Sequence, residues 1–226
     1  MKQTFDLFWK ENNLKDVAVL ETPTETQERL LDAAEQLFAE KGFEAVSLRE
    51  LTTVAGANLA AVNYHFGGKE NLIGAVMARH VVPINVERVR RLDAILERRK
   101  KPTVREVLEA FLAPMTERIL EREERQRLFA QFMGRLMGEG ACGLPEELVP
   151  EFQEMAAKVV KALRLASPKL GEEEAFFRMK FAFSVMADAM IRDEVFEQIS
   201  KGRLSKWDWT HRYEEVLNFC VGGMKG

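Results

Sequence analysis

A chain of 226 residues is long enough for one large domain or for a small domain joined to a larger one. Hydrophobic residues make up 46% of the chain, and no apolar run approaches the roughly 18 residues that a membrane span needs. The net charge of −3 argues against a general nucleic-acid coat protein. It does not exclude a protein that touches DNA with one small surface, because local charge governs such a contact.

Residues 1–21 precede the first clear helical pattern and are predicted to form an N-terminal extension. Charged residues interrupt its apolar ones, so it lacks the compact apolar stretch of a signal peptide. Its aromatic residues Phe5, Phe8 and Trp9 are compatible with three roles: capping the neighbouring domain, contacting another subunit, or belonging to a disordered arm. All three roles stay open.

Beyond the extension, apolar residues recur at helical spacing and no stretch shows the period-two alternation of a strand. Thr24 and Gln27 form a predicted capping box for a first helix that ends before Gly42. Ser47 and Glu50 form a second predicted capping box, for a short second helix. The sequence therefore predicts two helices before residue 55.

A tight turn is predicted at residues 55–57, and Asn58 is predicted to cap a third helix that ends at Phe66. Val62 and Phe66 lie four residues apart, so both are predicted to anchor this helix to its domain. The other predicted core residues here are Phe43, Leu48 and Leu51. Two short helices joined by a glycine-containing turn are typical of a helix-turn-helix, although an ordinary three-helix bundle shows the same periodicity.

A fourth helix is predicted from Lys69 to about His80, and Pro83 is predicted to separate it from the next. Six longer helices are predicted at residues 84–100, 103–121, 123–138, 146–166, 171–199 and 206–221. Glycine or proline marks the breaks between them. The predicted fold is all-α, with a three-helix helix-turn-helix domain at residues 22–80 and a larger helical domain at residues 81–226.

Three motifs follow one another in register between about residues 26 and 75. They are LDAAEQLFAEKGF at residues 31–43, SLREL followed by AGA at residues 47–57, and NYHFGGKENL at residues 63–72. Together they resemble the first helix, the second helix with its turn, and the end of the recognition helix in the TetR/AcrR family. The resemblance implies a bacterial transcription repressor that binds operator DNA as a homodimer and releases it when a small ligand enters the C-terminal domain.

The resemblance also implies which residues touch DNA. Arg49 is expected to reach a guanine edge or a phosphate with its planar guanidinium, and Ser47 to bind phosphate at its helix start. The candidates for base-edge contacts are Asn58, Leu59, Ala60, Ala61 and Asn63. The candidates for clamping the DNA backbone are Tyr64, His65 and Lys69.

Tyr64 and His65 could instead pack within the domain. Family members commonly carry a Lys or Thr and an additional Tyr where this chain has Leu59, Ala61 and Asn63. The resemblance therefore yields no operator sequence.

The C-terminal part contains no grouping of residues that would support catalysis, since glycine-rich phosphate loops and the motifs of serine hydrolases and zinc proteases are missing. We therefore expect no enzyme activity and no cofactor. In the family this part senses the ligand and forms the dimer. The predicted dimer interface comprises the helices at residues 171–199 and 206–221, whose apolar faces are wider than an exposed helix needs.

Methionine and phenylalanine are dense at helical spacing in this part, which is typical of pockets for varied apolar ligands and also of ordinary cores. The candidate ligand-binding residues are Phe111, Met115, Phe132, Met133, Met137, Met179, Phe183 and Met186. Segments at residues 62–67, 129–136 and 166–170 resemble the fatty-acid-responsive PsrA branch. That resemblance implies a lipophilic, acyl-type effector, with Arg135 or Arg178 as the partner of its carboxylate.

Other functions stay open on the sequence alone. The same scaffold could serve an activator or a ligand-independent DNA-binding protein, and a lipid carrier with a vestigial DNA-binding head is the main alternative from another class. Cys142 and Cys220 match no metal spacing, so we expect a reduced, cytoplasmic protein without a membrane partner. Cys142, in a glycine-rich loop, is either a redox sensor or incidental.

Overall fold

The computed structural model describes residues 24–98, 101–120, 128, 131–132, 145–190, 194–203 and 208–224. All regular structure in these ranges is helical, which confirms the predicted all-α class. The helices are α1 (Glu25–Lys41), α2 (Leu48–Val54), α3 (Leu59–Phe66), α4 (Lys69–Arg98), α5 (Val104–Leu120), α6 (Val149–Ala166), α7 (Glu172–Met190), α8 (Glu194–Ile199) and α9 (Trp209–Gly223), with a 3-10 turn at Glu146–Leu148. The predicted extension at residues 1–21 and most of the predicted helix at 123–138 lie outside the described residues.

The chain divides into two compact units. Of the described residues, those within 24–83 and 145–150 form one unit, and those within 84–132 and 151–224 form the other. Neither unit is continuous in sequence, because residues 145–150 associate with the N-terminal unit. Gly74 shows this directly, since a Cβ placed there would lie 3.1 Å from Cγ of Pro145.

Local hydrogen bonds decide where the first two helices begin. The predicted capping box of α1 is confirmed: Gln27 N–H donates to Thr24 Oγ1 at 3.2 Å, and Thr24 N–H donates to Gln27 Oε1 at 2.8 Å. At α2 only half of the predicted box forms. Glu50 N–H donates to Ser47 Oγ at 3.2 Å, but the Glu50 carboxylate pairs with Lys41 at the end of α1.

The N-terminal unit is built on a core to which all of its helices contribute. Leu30, Ala34 and Phe38 recur every four residues on one face of α1 and are fully buried. The Phe38 ring lies 5.4 Å from the Phe43 ring, centroid to centroid. The other fully buried side chains of this core include Leu51, Val62, Leu72 and Val76. Leu48 and Phe66, predicted as core, are only half-buried.

An arginine near the middle of α4 joins that helix to α1. Arg79 Nη1 lies 2.6 Å from Asp32 Oδ1 and 3.5 Å from Glu35 Oε2, and its Nη2 lies 3.1 Å from Glu28 Oε2. His80 Nε2 lies 3.1 Å from Glu35 Oε1. Three carboxylates of α1 therefore share one guanidinium, whose planar fork suits several simultaneous contacts.

The predicted break at Pro83 is wrong, because α4 continues through it to Arg98. A proline inside a helix costs about 3 kcal/mol, mainly through one lost backbone hydrogen bond and a ring clash. Its neighbours Val82 and Ile84 are 1% and 3% exposed, and their burial offsets that cost. Pro114 likewise lies inside α5.

The C-terminal unit packs α5, α7 and α9 against one another, with α6 burying one apolar face. Polar contacts link its helices at the surface: Arg91 donates to Glu117 at 2.6 and 2.9 Å, and Lys158 donates to Asp93 at 2.8 and 3.0 Å. The predicted helix at 171–199 is described as α7 and α8, and residues 191–193 between them are not described. Among the described helices, none is long and apolar enough to cross a membrane.

Candidate DNA-binding surface and effector site

The turn between α2 and α3 and both ends of α3 are fixed by short-range geometry. Gly56 adopts φ of +59°, as the predicted turn requires, and Asn58 Oδ1 accepts the Ala61 N–H at 2.8 Å. Gly67 ends α3 in the left-handed region at φ of +74°. The recognition-type helix is therefore eight residues long and held at a defined position behind α2.

Most of α3 faces solvent. Val62 is its one fully buried residue, which confirms Val62 as an anchor. The candidate residues Asn58, Leu59, Ala60, Asn63 and Tyr64 are exposed, and Ala61 and His65 are half-buried. Leu59 is 51% exposed and Tyr64 85% exposed, values that a packing role for either does not explain.

The remaining DNA candidates lie at the starts of α2 and α4. Ser47 and Arg49 are exposed and Lys69 is half-buried. The Arg49 carbonyl accepts hydrogen bonds from the Thr52 and Thr53 hydroxyls, at 3.1 and 2.8 Å. Neither Arg49 nor Lys69 forms an ion pair with any residue in the described ranges, in contrast to Lys41 and Arg79.

The structure modifies two of the predicted DNA roles. The Asn58 oxygen accepts one hydrogen bond to cap α3, so its NH2 group is the part of the side chain that stays unengaged. The Ser47 hydroxyl accepts the Glu50 N–H and keeps its proton as the donor for a phosphate.

The predicted ligand residues of the C-terminal unit form part of its buried core. Phe111, Met115, Phe132, Met179 and Met186 are at most 7% exposed, and Phe183 is half-buried. The Phe111 and Phe183 rings lie 6.4 Å apart between centroids. The candidates Met133 and Met137, and the carboxylate partner proposed at Arg135, lie outside the described residues.

The other predicted carboxylate partner, Arg178, is engaged elsewhere. Its Nη1 donates to the Gly223 carbonyl at 2.9 Å, and its Nη2 bonds to Glu174. Arg178 therefore joins α7 to the end of α9, and its guanidinium is engaged within the protein.

A different arginine lies against the predicted ligand residues. Arg88 is 2% exposed, and its guanidinium carbon lies 4.7 Å from the Phe111 ring centre and 5.8 Å from that of Phe183. Its Nε donates to the Phe111 carbonyl at 2.7 Å and its Nη1 to Asn85 Oδ1 at 3.0 Å. Burial lowers the Arg88 pKa to about 9, which leaves the group a cation at neutral pH.

Sequence reasoning missed Arg88 and Asn85, although a signal was present. Val81, Asn85, Arg88 and Leu92 fall at the three- and four-residue spacing of one helix face, and the two outer positions are apolar. A polar pair inside such a stripe is either buried with the apolar residues or exposed where the helix face meets solvent. The structure shows that it is buried.

A separate surface cavity of about 410 Å³ lies along α6 and the turn that follows it. Val160, Arg164 and Leu165 line it, and none of the predicted ligand residues does. Arg164 Nη1 lies 2.8 Å from Glu172 Oε2, another lining residue.

Family models match both units of this chain. Residues 30–76 match the model described as bacterial regulatory proteins, tetR family, and residues 109–223 match the tetracyclin repressor-like C-terminal domain. The second match alone covers half of the chain. The chain belongs to the TetR family.

Curated relatives agree with this assignment. A 60-residue segment is 38% identical to the HTH-type transcriptional repressor AcnR of Corynebacterium glutamicum, and covers 26% of this chain and 32% of AcnR. Segments of 97 residues are 30% identical to the regulators SrpR and TtgW of Pseudomonas putida; each covers 43% of this chain, with 45% of SrpR and 71% of TtgW. The matched segments thus span less than half of the first two relatives. All three are named as transcriptional regulators.

Solved TetR-type structures share the fold over nearly the whole chain. A TetR-family regulator of Streptomyces coelicolor has a TM-score of 0.57 at 18% identity and covers 96% of both chains. SmeT, the repressor of a multidrug efflux pump of Stenotrophomonas maltophilia, has a TM-score of 0.57 at 20% identity and covers 88% of this chain and 91% of its own. At these identities the likeness establishes the helical fold.

In this TetR-family chain, a titrating carboxyl lies beside the buried polar pair. Burial raises the pKa of Glu151 from its ordinary value of 4.5 to about 7, the interaction with the Asn85 side chain opposes the shift, and the nearby charge of Glu154 adds to it. Because the folded-state pKa is raised, stability from this group is present below about pH 4.5 and is lost as the pH rises through 7.

Glu151→Gln is therefore expected to leave the free energy of unfolding nearly unchanged at pH 5 and to raise it by about 1 kcal/mol at pH 8. The full shift corresponds to roughly 3 kcal/mol at 1.36 kcal/mol per pKa unit, and partial exposure screens most of it. Urea unfolding at the two pH values measures the difference. Glu97→Gln, at an exposed residue of α4, should change neither value, and an equal gain for Glu151→Gln at both pH values would contradict the assignment.

Proposed function

We propose that this protein is a transcription repressor that binds operator DNA as a homodimer and releases it when a small lipophilic effector enters the C-terminal unit. The observation that carries the proposal is α3, a capped helix of eight residues with one fully buried residue. A helix that reads bases must be slim and exposed on one side so that it fits a major groove about 12 Å wide.

The chemistry of this surface supports DNA as the partner. Asn63 offers amide groups for base edges, and Ala60 and Leu59 offer apolar contacts to thymine methyl groups. Arg49 and Lys69 flank the helix as cations without intramolecular ion pairs in the described ranges. The Tyr64 and His65 rings form an edge-to-face pair with centroids 5.0 Å apart, and their polar atoms are suited to contacts with DNA phosphates.

The C-terminal helices support a homodimer. Phe176, Phe177 and Phe181 of α7 are 53–58% exposed, and Phe219 of α9 is 70% exposed, although α7 and α9 pack together. Monomeric proteins rarely expose a contiguous patch of large aromatic side chains. In the proposed twofold dimer this patch is covered, and two α3 helices meet successive major grooves about 34 Å apart.

The effector class is proposed from the buried Phe and Met side chains and from the PsrA-like segments. Flexible thioethers and aromatic rings accommodate acyl chains without a fixed shape. The ligand acts by favouring a conformation that binds DNA poorly, and a 100-fold ratio of affinities corresponds to about 2.7 kcal/mol of coupling.

Fluorescence anisotropy on labelled duplexes tests the proposal. The duplex is taken from DNA beside the protein's own reading frame, with a scrambled duplex as control, across a salt series and with or without decanoate. We expect specific binding about 1,000-fold tighter than the control, weakened by salt and by the acyl compound. Equal weak binding to both duplexes, together with tight decanoate binding, would instead support the carrier.

Arg49→Ala is expected to weaken operator binding about 5- to 150-fold, the equivalent of one bidentate base contact or a charged phosphate contact. The thermal unfolding temperature should not change, because the side chain is exposed. Arg98→Ala removes the same charge from the exposed end of α4 and is the matched control. Equal weakening by the two substitutions would mean that only net charge matters and that Arg49 does not touch DNA.

A further inference from the structure

Three buried polar atoms of the C-terminal unit lack a hydrogen-bond partner in the part of the chain that the structure describes. They are Nη2 of Arg88, Nδ2 of Asn85 and Oε1 of Glu151. Asn85 and Arg88 lie one turn apart on α4, and Glu151 faces Asn85 from α6. The Asn85 and Glu151 side chains interact with each other, so Nη2 of Arg88 is the atom of the three that is left without a partner. More than nine-tenths of buried polar groups in proteins are paired, so this buried donor indicates a missing partner.

The charge of that partner follows from Arg88. The two hydrogen bonds of this cation end on neutral oxygens, the Phe111 carbonyl and Asn85 Oδ1. No described carboxylate forms an ion pair with it. A buried charge is costly unless an opposite charge compensates it, and a well-packed apolar residue would serve the fold at least as well. The missing partner is therefore an anion.

The surroundings of Arg88 specify the rest of the partner. The guanidinium lies over the faces of Phe111 and Phe183, so its neighbourhood is aromatic and apolar. Met179 and Met186 of α7, the helix that carries Phe183, are buried as well. A compound that satisfies both requirements has an anionic group at one end and an apolar body.

We propose that Arg88 and Asn85 bind the carboxylate of a lipophilic monocarboxylic acid, which is the effector of this regulator. Only the statement that this acid is the effector rests on the proposed function. Binding of the acid to Arg88 and Asn85 does not require DNA. Arg88 Nη2 donates to a carboxylate oxygen, the Asn85 amide lies beside it, and the apolar body lies among the aromatic and Met side chains. The carboxylate supplies the ion pair that Arg88 lacks among the described residues.

Isothermal titration calorimetry on the full chain tests the proposal without DNA. The probes are the straight-chain carboxylates from butanoate to dodecanoate, each paired with the 1-alcohol of the same length. For the best chain length, we expect the acid to bind at least about tenfold tighter than its alcohol, as a charge-assisted hydrogen-bonded pair implies. Alcohols that bind as well as their acids, or acids that do not bind, would overturn the proposal.

Two substitutions assign the effect to Arg88. Arg88→Met should lower the affinity for the acid about tenfold or more, leave that for the alcohol within about twofold, and unfold at an equal or higher temperature without ligand. Arg88→Lys keeps the charge and should retain part of the preference for the acid. Arg178→Met removes an arginine that bonds to Gly223 and should bind the acid like the unaltered protein.

The outcomes separate this inference from the proposed function. If the protein binds an operator specifically but no carboxylate releases it and acids bind no better than alcohols, the carboxylate site is wrong and the proposed regulatory function stands. If the acid binds through Arg88 but the protein binds no operator, the carboxylate site is confirmed and the proposed regulatory function is wrong. If Arg88→Met unfolds at a much lower temperature, Arg88 also has a structural role, and Arg88→Lys must then retain part of the preference for the acid or the assignment fails.

Discussion

Phe181→Glu is expected to convert the protein to a monomer and to weaken operator binding about 100-fold or more. Phe181 is 58% exposed, and the centroids of the Phe181 and Phe177 rings lie 6.3 Å apart, so Phe181 lies within the aromatic patch of α7. A carboxylate in the middle of a covered apolar interface would lose its hydration without gaining a partner. Loss of the dimer separates two half-site contacts that otherwise strengthen each other, which removes the gain of two to four orders of magnitude from bivalency.

Sedimentation equilibrium measures the oligomeric state, and anisotropy on the operator measures the affinity. Leu165→Glu introduces the same charge at a partly exposed apolar residue of α6 and should leave the dimer intact. Because Phe181 is mostly exposed, its substitution should not lower the unfolding temperature of the monomer. A Phe181→Glu protein that remains a dimer would place the interface elsewhere.

Phe38→Ala is expected to cost the N-terminal unit about 3–5 kcal/mol. The side chain is fully buried on α1 and contacts the Phe43 ring, and its removal leaves a cavity that the flanking helices cannot fill. Against a total stability of roughly 5–15 kcal/mol, a loss of this size populates unfolded forms of the unit.

Hydrogen exchange followed by mass spectrometry resolves this effect by segment. Amides of α1, α2 and α3 should exchange about 100-fold faster or more in the Phe38→Ala protein, since each 1.4 kcal/mol corresponds to a factor of ten. The exchange rates of amides in α7 and α9, in the other unit, should change much less. Val54→Ala, at a 54% exposed residue of α2, is the control and should change little. Uniform acceleration over both units would contradict a separate N-terminal core.

Features that depend on neighbouring residues could be predicted from the sequence. The caps of α1 and α3 were predicted because Thr24, Gln27 and Asn58 bond within three residues, and the turn was predicted because Gly56 needs a positive φ. The exposed face of α3 followed from the same spacing. The family motifs coincide with these local features, which explains why they specify the DNA-binding unit so well.

Features that depend on distant residues could not be predicted. The break at Pro83 was wrong because the sequence does not show how deeply Val82 and Ile84 are buried. The second capping box was half wrong because Lys41, nine residues away, binds the Glu50 carboxylate. Arg178 was a reasonable partner for a carboxylate until the fold placed Gly223 beside it, and Arg88 became one only when the fold enclosed it.

The ion pairs of Lys41 and Arg79 have a consequence for how the proposed repressor would search a chromosome. Residues 24–83 contain five Lys and Arg against eight Asp and Glu, and these ion pairs occupy two of the five cations. Each phosphate contact contributes about −0.9 to the slope of log affinity against log salt, so few cations mean a shallow slope and a weak hold on random DNA. We expect few molecules to be sequestered on the wrong sequences, so that a low copy number per cell suffices to keep one operator occupied.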